Sequence, residues 1–191
     1  MFSIVDAFKA NFYWIDFSIA FGILALVVIF FLIKRINKFT WVLFWIGCFL
    51  GLFWELPISI SSDTGIYPAT HFIVQPPVHY SVIIITHTLW DGGLFLVGVW
   101  LVRRICKKPH FTKFSGKELA ILVIWGQLSE LGVELISTFS GGWEYIPYWW
   151  NPVLFLFNGQ NITLLPQLIW LAAPIVFYFI AIRLKPRFQP A

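Results

Sequence analysis

The chain has 191 residues, of which 59% are hydrophobic and only 12% are charged, and its formal net charge is +4. Soluble globular domains carry about 25% charged residues, so this chain lacks the charge that a water-facing surface needs. The composition excludes an ordinary soluble domain, and we expect no nucleic-acid partner. It predicts a single-domain integral membrane protein.

Five apolar segments are long enough to cross a bilayer, for which a helix needs about 20 mostly apolar residues. They cover residues 16–34, 40–58, 79–102, 117–138 and 163–184. The first is too long for a cleaved signal peptide and lacks a basic leader, so we interpret it as a retained span. The predicted fold class is therefore all-α, a polytopic bundle of five transmembrane helices over residues 1–191.

The basic residues predict the orientation of this bundle. All Lys and Arg residues except Lys9 fall between spans one and two, between spans three and four, or at and beyond the end of span five. Because loops rich in Lys and Arg stay on the cytoplasmic side, we expect the N-terminus outside and the C-terminus inside. The membrane would be the endoplasmic reticulum in a eukaryote and the cytoplasmic membrane in a prokaryote.

The two connections predicted to lie outside, residues 59–78 and 139–162, contain no Lys or Arg. The second is dense in aromatic residues, from Trp143 to Trp150. Trp and Tyr favour the membrane interface, which makes an ordinary aromatic belt one interpretation. The other is a lid that folds back over the bundle.

Five ionisable residues lie inside the predicted spans: Glu55, His87, Asp91, Glu130 and Glu134. A carboxylate at the bilayer centre costs on the order of 3 kcal/mol, so a chain rarely carries several without a use. Counting about 1.5 Å per residue places the acids of three helices in the same, outer half of the membrane. The sequence thus predicts a shared polar pocket there.

The spacing of these residues indicates acid–base chemistry. His87 and Asp91 are four residues apart, so they share a helix face and can pair directly. Glu130 and Glu134 have the same spacing, with Gln127 on the same stripe. Two acids this close in a low dielectric do not both ionise easily, so we expect one of them to hold a proton. A protonated acid near a carboxylate or a neutral histidine suits general acid–base catalysis.

Several alternatives stay open at this point. Glu55 could reach water at the interface, and His87 with Asp91 could be a structural clasp between helices. Histidine with carboxylates can also bind iron or zinc. Only one histidine lies within the spans and the spacing matches no metal signature, so we predict no metal and no cofactor. Small residues on the third span, Gly92, Gly93 and Gly98, are predicted helix-packing positions.

Four stretches carry a family pattern. In the second span, WIGCFLGLFWEL, an aromatic-rich apolar run ends at the acid Glu55. The third span contains Leu89-Trp90. The fourth contains Gly126-Gln127, and the fifth contains QLIWLAAP (residues 167–174), preceded by Asn151-Pro152. Over spans two to five, these stretches resemble the EXPERA family, which includes the emopamil-binding sterol isomerase and related sterol-binding membrane proteins.

The resemblance implies a five-span bundle around a lipid pocket that is open to the membrane. Family members that isomerise sterols protonate one alkene carbon and remove a proton from another, while a tryptophan face stabilises the carbocation between these steps. By this resemblance Glu55 would be one proton-transfer acid, Trp170 the cation-stabilising ring and Gln167 a polar partner.

This chain departs from the family's sterol isomerases at two positions. Gly51 stands where they have a histidine, and Ile83 stands where they have a glutamate. His87 and Asp91, or Glu130, could supply the missing groups. The predicted catalytic residues are therefore Glu55, His87, Asp91 and Glu130. The predicted substrate-binding residues are Trp54, Trp90, Gln127, Glu134, Gln167 and Trp170.

The sequence favours a membrane enzyme of isomerase type that performs acid–base chemistry on a sterol- or isoprenoid-like lipid. A membrane terpene cyclase is an alternative, because small polytopic cyclases also place an acid after a tryptophan, as in Trp54-Glu55. A non-catalytic lipid-binding protein and a proton-coupled transporter are further alternatives. A homodimer is left open.

Overall fold

The computed structural model describes residues 4–188, and it is 71% helical. The helices are α1 (Ile4–Ala10), α2 (Phe12–Leu32), α3 (Lys38–Thr64), α4 (Tyr80–Ile105), α5 (Gly116–Ser140) and α6 (Leu164–Leu184), followed by a 3-10 turn (Lys185–Phe188). Five of these, α2 to α6, are long and apolar enough to cross a membrane, so the predicted five-span helical bundle is confirmed.

The helix ends differ from the predicted span limits by a few residues. The largest differences are at α2, which begins at Phe12 rather than at residue 16, and at α3, which continues to Thr64 rather than to residue 58. Polar caps fix several ends: the side chain of Asn37 accepts the Thr40 N–H at 2.9 Å before α3. Helices α3 and α5 stop at Gly65 and Gly141, where φ is +70° and +78°, a left-handed conformation that glycine adopts without strain.

Helix α4 lies at the centre of the bundle and packs against α2, α3 and α5. Its glycines allow this, as the sequence predicted. A Cβ atom at Gly93 would lie 3.0 Å from Ile23 of α2, and one at Gly98 would lie 2.8 Å from Leu122 of α5. At the crossing with α3, a Cβ atom at Gly47 would lie 3.0 Å from the Cα atom of Gly92. Since a side chain at these points would force the helices apart, the close approach depends on glycine.

Four short strands fill the long connections, and the sequence analysis did not predict them. Strand β1 (Thr70–Phe72) pairs antiparallel with β2 (Trp143–Tyr145), so that Thr70 lies opposite Tyr145. Strands β3 (Val153–Phe157) and β4 (Gln160–Thr163) form a hairpin. Its turn is Asn158-Gly159, with φ of +51° and +79°. An Asn-Gly pair between apolar residues is a strong hairpin signal in a sequence.

The two ends of the bundle are chemically different. We call the end that carries the strands the strand end. The opposite end, where α2, α4 and α6 finish and α3 and α5 begin, holds every Lys and Arg residue except Lys9, and we call it the basic end. Large apolar side chains on the outer helix surfaces, such as Phe49 and Leu128, are exposed, as expected for helices that face lipid.

Candidate functional site

A cavity of about 520 Å³ lies in the strand-end half of the bundle. Its walls come from α2, α3, α4, α5, α6 and the strands β1 and β2. This volume falls within the range of about 300–1,000 Å³ that is typical of small-molecule sites. Of the predicted site residues, those that line the cavity are Trp54, Glu55, His87, Trp90, Asp91, Glu130 and Trp170.

His87 lies between carboxylates of two neighbouring helices. Its Nδ1 atom lies 3.1 Å from Glu55 Oε2 on α3, within hydrogen-bond distance. Its Nε2 atom lies 3.8 Å from Asp16 Oδ2 on α2, beyond hydrogen-bond distance, and within residues 4–188 neither of these two atoms has a hydrogen-bond partner. The ring of Trp143 packs beside the imidazole, with 4.7 Å between the ring centroids. A carboxylate thus faces each nitrogen, and three separate elements of the chain fix the orientation of the ring.

The expected direct pair between His87 and Asp91 is replaced by these contacts. The two residues share a face of α4, but the imidazole turns towards α2 and α3, where Asp16 and Glu55 offer carboxylates. Asp91 is buried, and within residues 4–188 its Oδ2 atom has no hydrogen-bond partner. The histidine and the aspartate are therefore separate polar groups in one cavity.

Asp91 also explains why residue 51 is a glycine. A Cβ atom added at Gly51 would lie 2.8 Å from Asp91 Cβ and closer still to the Asp91 carboxylate. A larger side chain at position 51 would overlap the carboxyl group of Asp91. The glycine and the aspartate therefore fit together as a pair, and a change at one position alters the space available to the other.

Glu130 and Glu134 have different surroundings although they lie one turn apart on α5. Glu130 is buried and lines the cavity. Glu134 accepts hydrogen bonds from the Thr163 N–H and from Gln167 Nε2, both at 3.2 Å. Glu134 is therefore committed to joining α5 to the start of α6.

The predicted substrate residues Gln127, Glu134 and Gln167 are not among the residues that line the cavity. Gln127 Nε2 donates to the main-chain oxygen of Gln167 at 2.9 Å, and the side chain of Gln167 donates to Glu134. These three residues form a hydrogen-bonded seam between α5 and α6 beside the cavity.

Asp16 is a cavity residue that sequence reasoning missed. It is only 9% exposed and lines the cavity opposite His87. The predicted first span began at this residue, which placed Asp16 at the membrane edge. The apolar residues before it, FYWI, continue the helix for one further turn and bring Asp16 inside. Those apolar residues were the signal that could have revealed it.

Tyr145 is the second residue that sequence reasoning did not place in the site. It lies on β2, is buried and lines the cavity. Burial raises the pKa of the Tyr145 phenol well above its ordinary value, and the nearby carboxylates of Glu130 and Glu55 act in the same direction. Tyr145 therefore presents a neutral phenol, which can donate a hydrogen bond or accept one.

Hydrogen bonds hold β2 and its neighbours over the cavity. The Tyr13 hydroxyl donates to the main-chain oxygens of Val74 and Gly142, at 2.8 and 3.0 Å. The Trp143 N–H donates to Ser137 Oγ at 2.8 Å. The aromatic residues of this connection therefore have two different positions. Trp143 and Tyr145 cover the cavity as a lid would, whereas Trp149 is 92% exposed.

Aromatic rings form much of the apolar wall. Trp170 packs edge-on against Trp54, with 5.9 Å between the centroids, and stacks on Phe95 at 5.3 Å. Trp90, Trp125 and Trp143 also line the cavity. Such faces carry negative electrostatic potential and attract cations.

The cavity reaches the outer surface of the bundle between α2 and α5. Its lining there includes Ile19 of α2 and Leu128 and Ile136 of α5, which are all exposed. Gly132 lies between Leu128 and Ile136 on α5, and a Cβ atom added there would meet nothing within 4 Å. This gap is therefore an apolar opening at the side of the molecule.

Among residues 4–188, no group of three or more His, Cys, Asp and Glu side chains is arranged to hold a metal ion. Comparison with family models, with curated proteins and with solved structures finds no match for this chain. The fold and the site together define a multi-pass membrane protein with a polar, aromatic-lined cavity among its spans.

We predict that Gly51→Ala lowers the free energy of unfolding by about 1–3 kcal/mol, because the new methyl group overlaps Asp91. In the Asp91→Gly background the same substitution should cost much less, since all three atoms nearest to the new Cβ belong to the Asp91 side chain. Thermal or denaturant unfolding in detergent of the natural chain, the two single variants and the double variant measures the coupling free energy between positions 51 and 91.

Gly22→Ala is the matched control, because a Cβ at Gly22 would meet nothing within 4 Å. It should leave stability unchanged or raise it slightly, since alanine favours the helix. An equal cost of Gly51→Ala with and without the Asp91 side chain would contradict the close fit.

Proposed function

We propose that this protein is a membrane-embedded enzyme of isomerase type, which shifts a double bond in a sterol- or isoprenoid-like lipid by protonation and deprotonation. The observation that carries the proposal is the arrangement of the cavity. It brings Asp91 and Glu130 into one cavity with the Asp16–His87–Glu55 group, and tryptophan rings form part of the cavity wall. Carboxyl groups that can serve as acid and as base are thus available within one apolar site.

The proposed first step is proton donation by Asp91. A buried carboxyl group without a hydrogen-bond partner is most stable with its proton, because an unpaired carboxylate is costly in an apolar surrounding. The Asp91 O–H bond breaks, the proton joins one alkene carbon, and the positive charge develops on the other carbon. The faces of Trp54 and Trp170 stabilise this charge.

The proposed second step is proton removal by Glu55. Its carboxylate takes a proton from a carbon next to the cation, and the electrons of that C–H bond form the new double bond. The hydrogen bond between Glu55 and His87 orients the carboxylate for this role. Asp16 acts through His87, because it faces the other ring nitrogen and limits rotation of the imidazole. The cycle closes when Glu55 releases its proton and Asp91 regains one.

The resemblance to the EXPERA family supports this proposal. Of the three residues to which the resemblance gives roles, Glu55 and Trp170 line the cavity, whereas Gln167 lies beside it. Asp91 occupies the space beside Gly51, where the family's sterol isomerases have a histidine. We infer that this chain uses Asp91 and His87 of α4 in place of the groups that it lacks at Gly51 and Ile83.

The opening between α2 and α5 supports a lipid as the substrate. The exposed apolar residues at its rim lie within helices that are long enough to span a membrane. A lipid could therefore pass from the bilayer into the cavity without crossing water. We propose that substrate enters through this side opening.

The chemistry is tested by incubating the purified protein with unsaturated sterols and polyprenyl lipids in deuterated water. We expect a double-bond isomer that carries deuterium on carbon. Glu55→Gln and Asp91→Asn should each lower the rate about 10²–10⁴-fold, which is the usual contribution of a general acid or base. Asp16→Asn should cause a smaller loss, because this residue acts only through His87.

Asp63→Asn is the control, because it removes an exposed acid from the same helix as Glu55. It should leave the rate unchanged. Tight lipid binding with neither isomerisation nor deuterium exchange would refute the enzyme and support the lipid-binding alternative. A cyclised product would instead assign the same acids to a terpene cyclase.

We further predict that Gly132→Trp slows turnover of the lipid while leaving thermal stability nearly unchanged. A Cβ atom at Gly132 would meet nothing within 4 Å, so the new side chain should narrow the side opening without displacing the helix backbone. Gly22→Trp is the matched control, since Gly22 also has open space but does not line the cavity. Equal rates for the two variants would contradict access between α2 and α5.

A further inference from the structure

The basic end of the bundle carries a large excess of positive charge. Of the 13 Lys and Arg residues in the chain, only Lys9 lies elsewhere, which leaves 12 at this end. Among the described residues, the acid at this end is Glu118, and it is already engaged. It accepts the Phe111 N–H at 3.2 Å and the Tyr178 hydroxyl at 3.1 Å. The single Glu118 carboxylate offsets at most one of these twelve positive charges.

Two of these cations lie close together over the first turn of α3. Arg103 Nη2 donates to Thr40 Oγ1 at 2.8 Å. Lys185 Nζ lies 4.6 Å from the ring centroid of Phe39, the residue before Thr40. The two cations therefore contact neighbouring residues of one helical turn, and both side chains are partly buried. The fold has thus brought two like charges together at a site with reduced access to water.

Neither cation has an anionic partner within the described part of the chain. No carboxylate of residues 4–188 lies within ion-pair distance of Arg103 or Lys185. The bond to Thr40 is the only hydrogen bond that the Arg103 guanidinium makes to those residues, although the group has five N–H donors. The remaining N–H donors of the guanidinium and the ammonium group of Lys185 are therefore available to an anion.

We propose that Arg103 and Lys185 bind the phosphate group of an anionic membrane lipid. The planar guanidinium can donate two parallel hydrogen bonds to phosphate oxygens, while the lysine supplies a compact positive charge. Both residues lie at the ends of helices that are long enough to span a membrane, which is where lipid phosphates are found. This site lies at the opposite end of the bundle from the cavity and does not depend on its chemistry.

Arg104 provides a matched comparison within the same helix. It is exposed, and its guanidinium carbon lies 5.5 Å from the ring centroid of Trp100, away from the first turn of α3. If the lipid merely responds to the total charge of this end, Arg104 should matter as much as Arg103. If the lipid occupies a defined site, only Arg103 and Lys185 should matter.

The experiment measures thermal unfolding of the full chain in a neutral detergent, with added phosphatidylglycerol, phosphatidylcholine or soluble glycerol phosphate. Phosphatidylglycerol should raise the unfolding temperature, whereas the other two should not. Arg103→Gln and Lys185→Gln should each raise the half-saturating lipid concentration about fivefold, and Arg104→Gln should leave it unchanged.

If Arg103→Gln and Arg104→Gln raise the half-saturating lipid concentration equally, the total charge of this end attracts the lipid and the defined site is refuted. Equal stabilisation by phosphatidylcholine would overturn the need for an anion, and equal stabilisation by glycerol phosphate would overturn the lipid as the ligand. Lys185→Gln keeps the test decisive if Arg103→Gln fails to fold, because Lys185 lies in the 3-10 turn after α6. The response of Glu55→Gln should match that of the natural chain whether or not the cavity is catalytic.

Discussion

The pairing of His87 with Glu55 and Asp16 is the contact on which the strand-end half of the bundle depends. Lipid cannot solvate an ionisable side chain, so each such group within a span needs a partner from another helix or a shared cavity. His87 meets this need from the central helix, α4, with a carboxylate of α3 at one nitrogen and a carboxylate of α2 at the other. Three of the five spans thereby contribute an ionisable side chain to one cluster around the imidazole ring.

Close approach of the helices makes this pairing feasible. The glycines of α4 and α3 remove the side chains that would hold the two helices apart, and Gly51 leaves room for the carboxyl group of Asp91. On the far side, Gln127, Gln167 and Glu134 hold α5 to α6 through their own hydrogen bonds. The structure therefore contains one set of polar residues that joins helices beside the cavity and another set, around His87, that lines the cavity.

Much of this arrangement could be predicted from the sequence, because hydropathy and charge act locally. The apolar runs indicated the five spans, and the depth of Glu55, Asp91 and Glu130 indicated a common cavity. Asp16 was missed because a span limit is uncertain by about one turn, and one turn decides whether an acid is at the edge or inside. The partner of His87 was missed because residues four apart share a face without having to touch, and a tertiary contact was available.

The strands could be predicted only in part. Asn158-Gly159 is a local signal for the β3–β4 hairpin, whereas β1 and β2 are three residues long and pair across more than 70 positions of the sequence. No local pattern specifies such a pairing. It matters for the site, because β2 brings Trp143 to His87 and Tyr145 to the cavity.

The proposed function requires this cavity to hold an unsaturated lipid and to shift its double bond. Mass spectrometry of the lipids that co-purify with the natural chain and with Glu55→Gln tests this requirement. We expect a sterol- or isoprenoid-like lipid enriched over the bulk membrane, as two double-bond isomers with the natural chain and as one with Glu55→Gln. Recovery of only bulk phospholipids, in the same proportions as in the membrane, would contradict the proposed function.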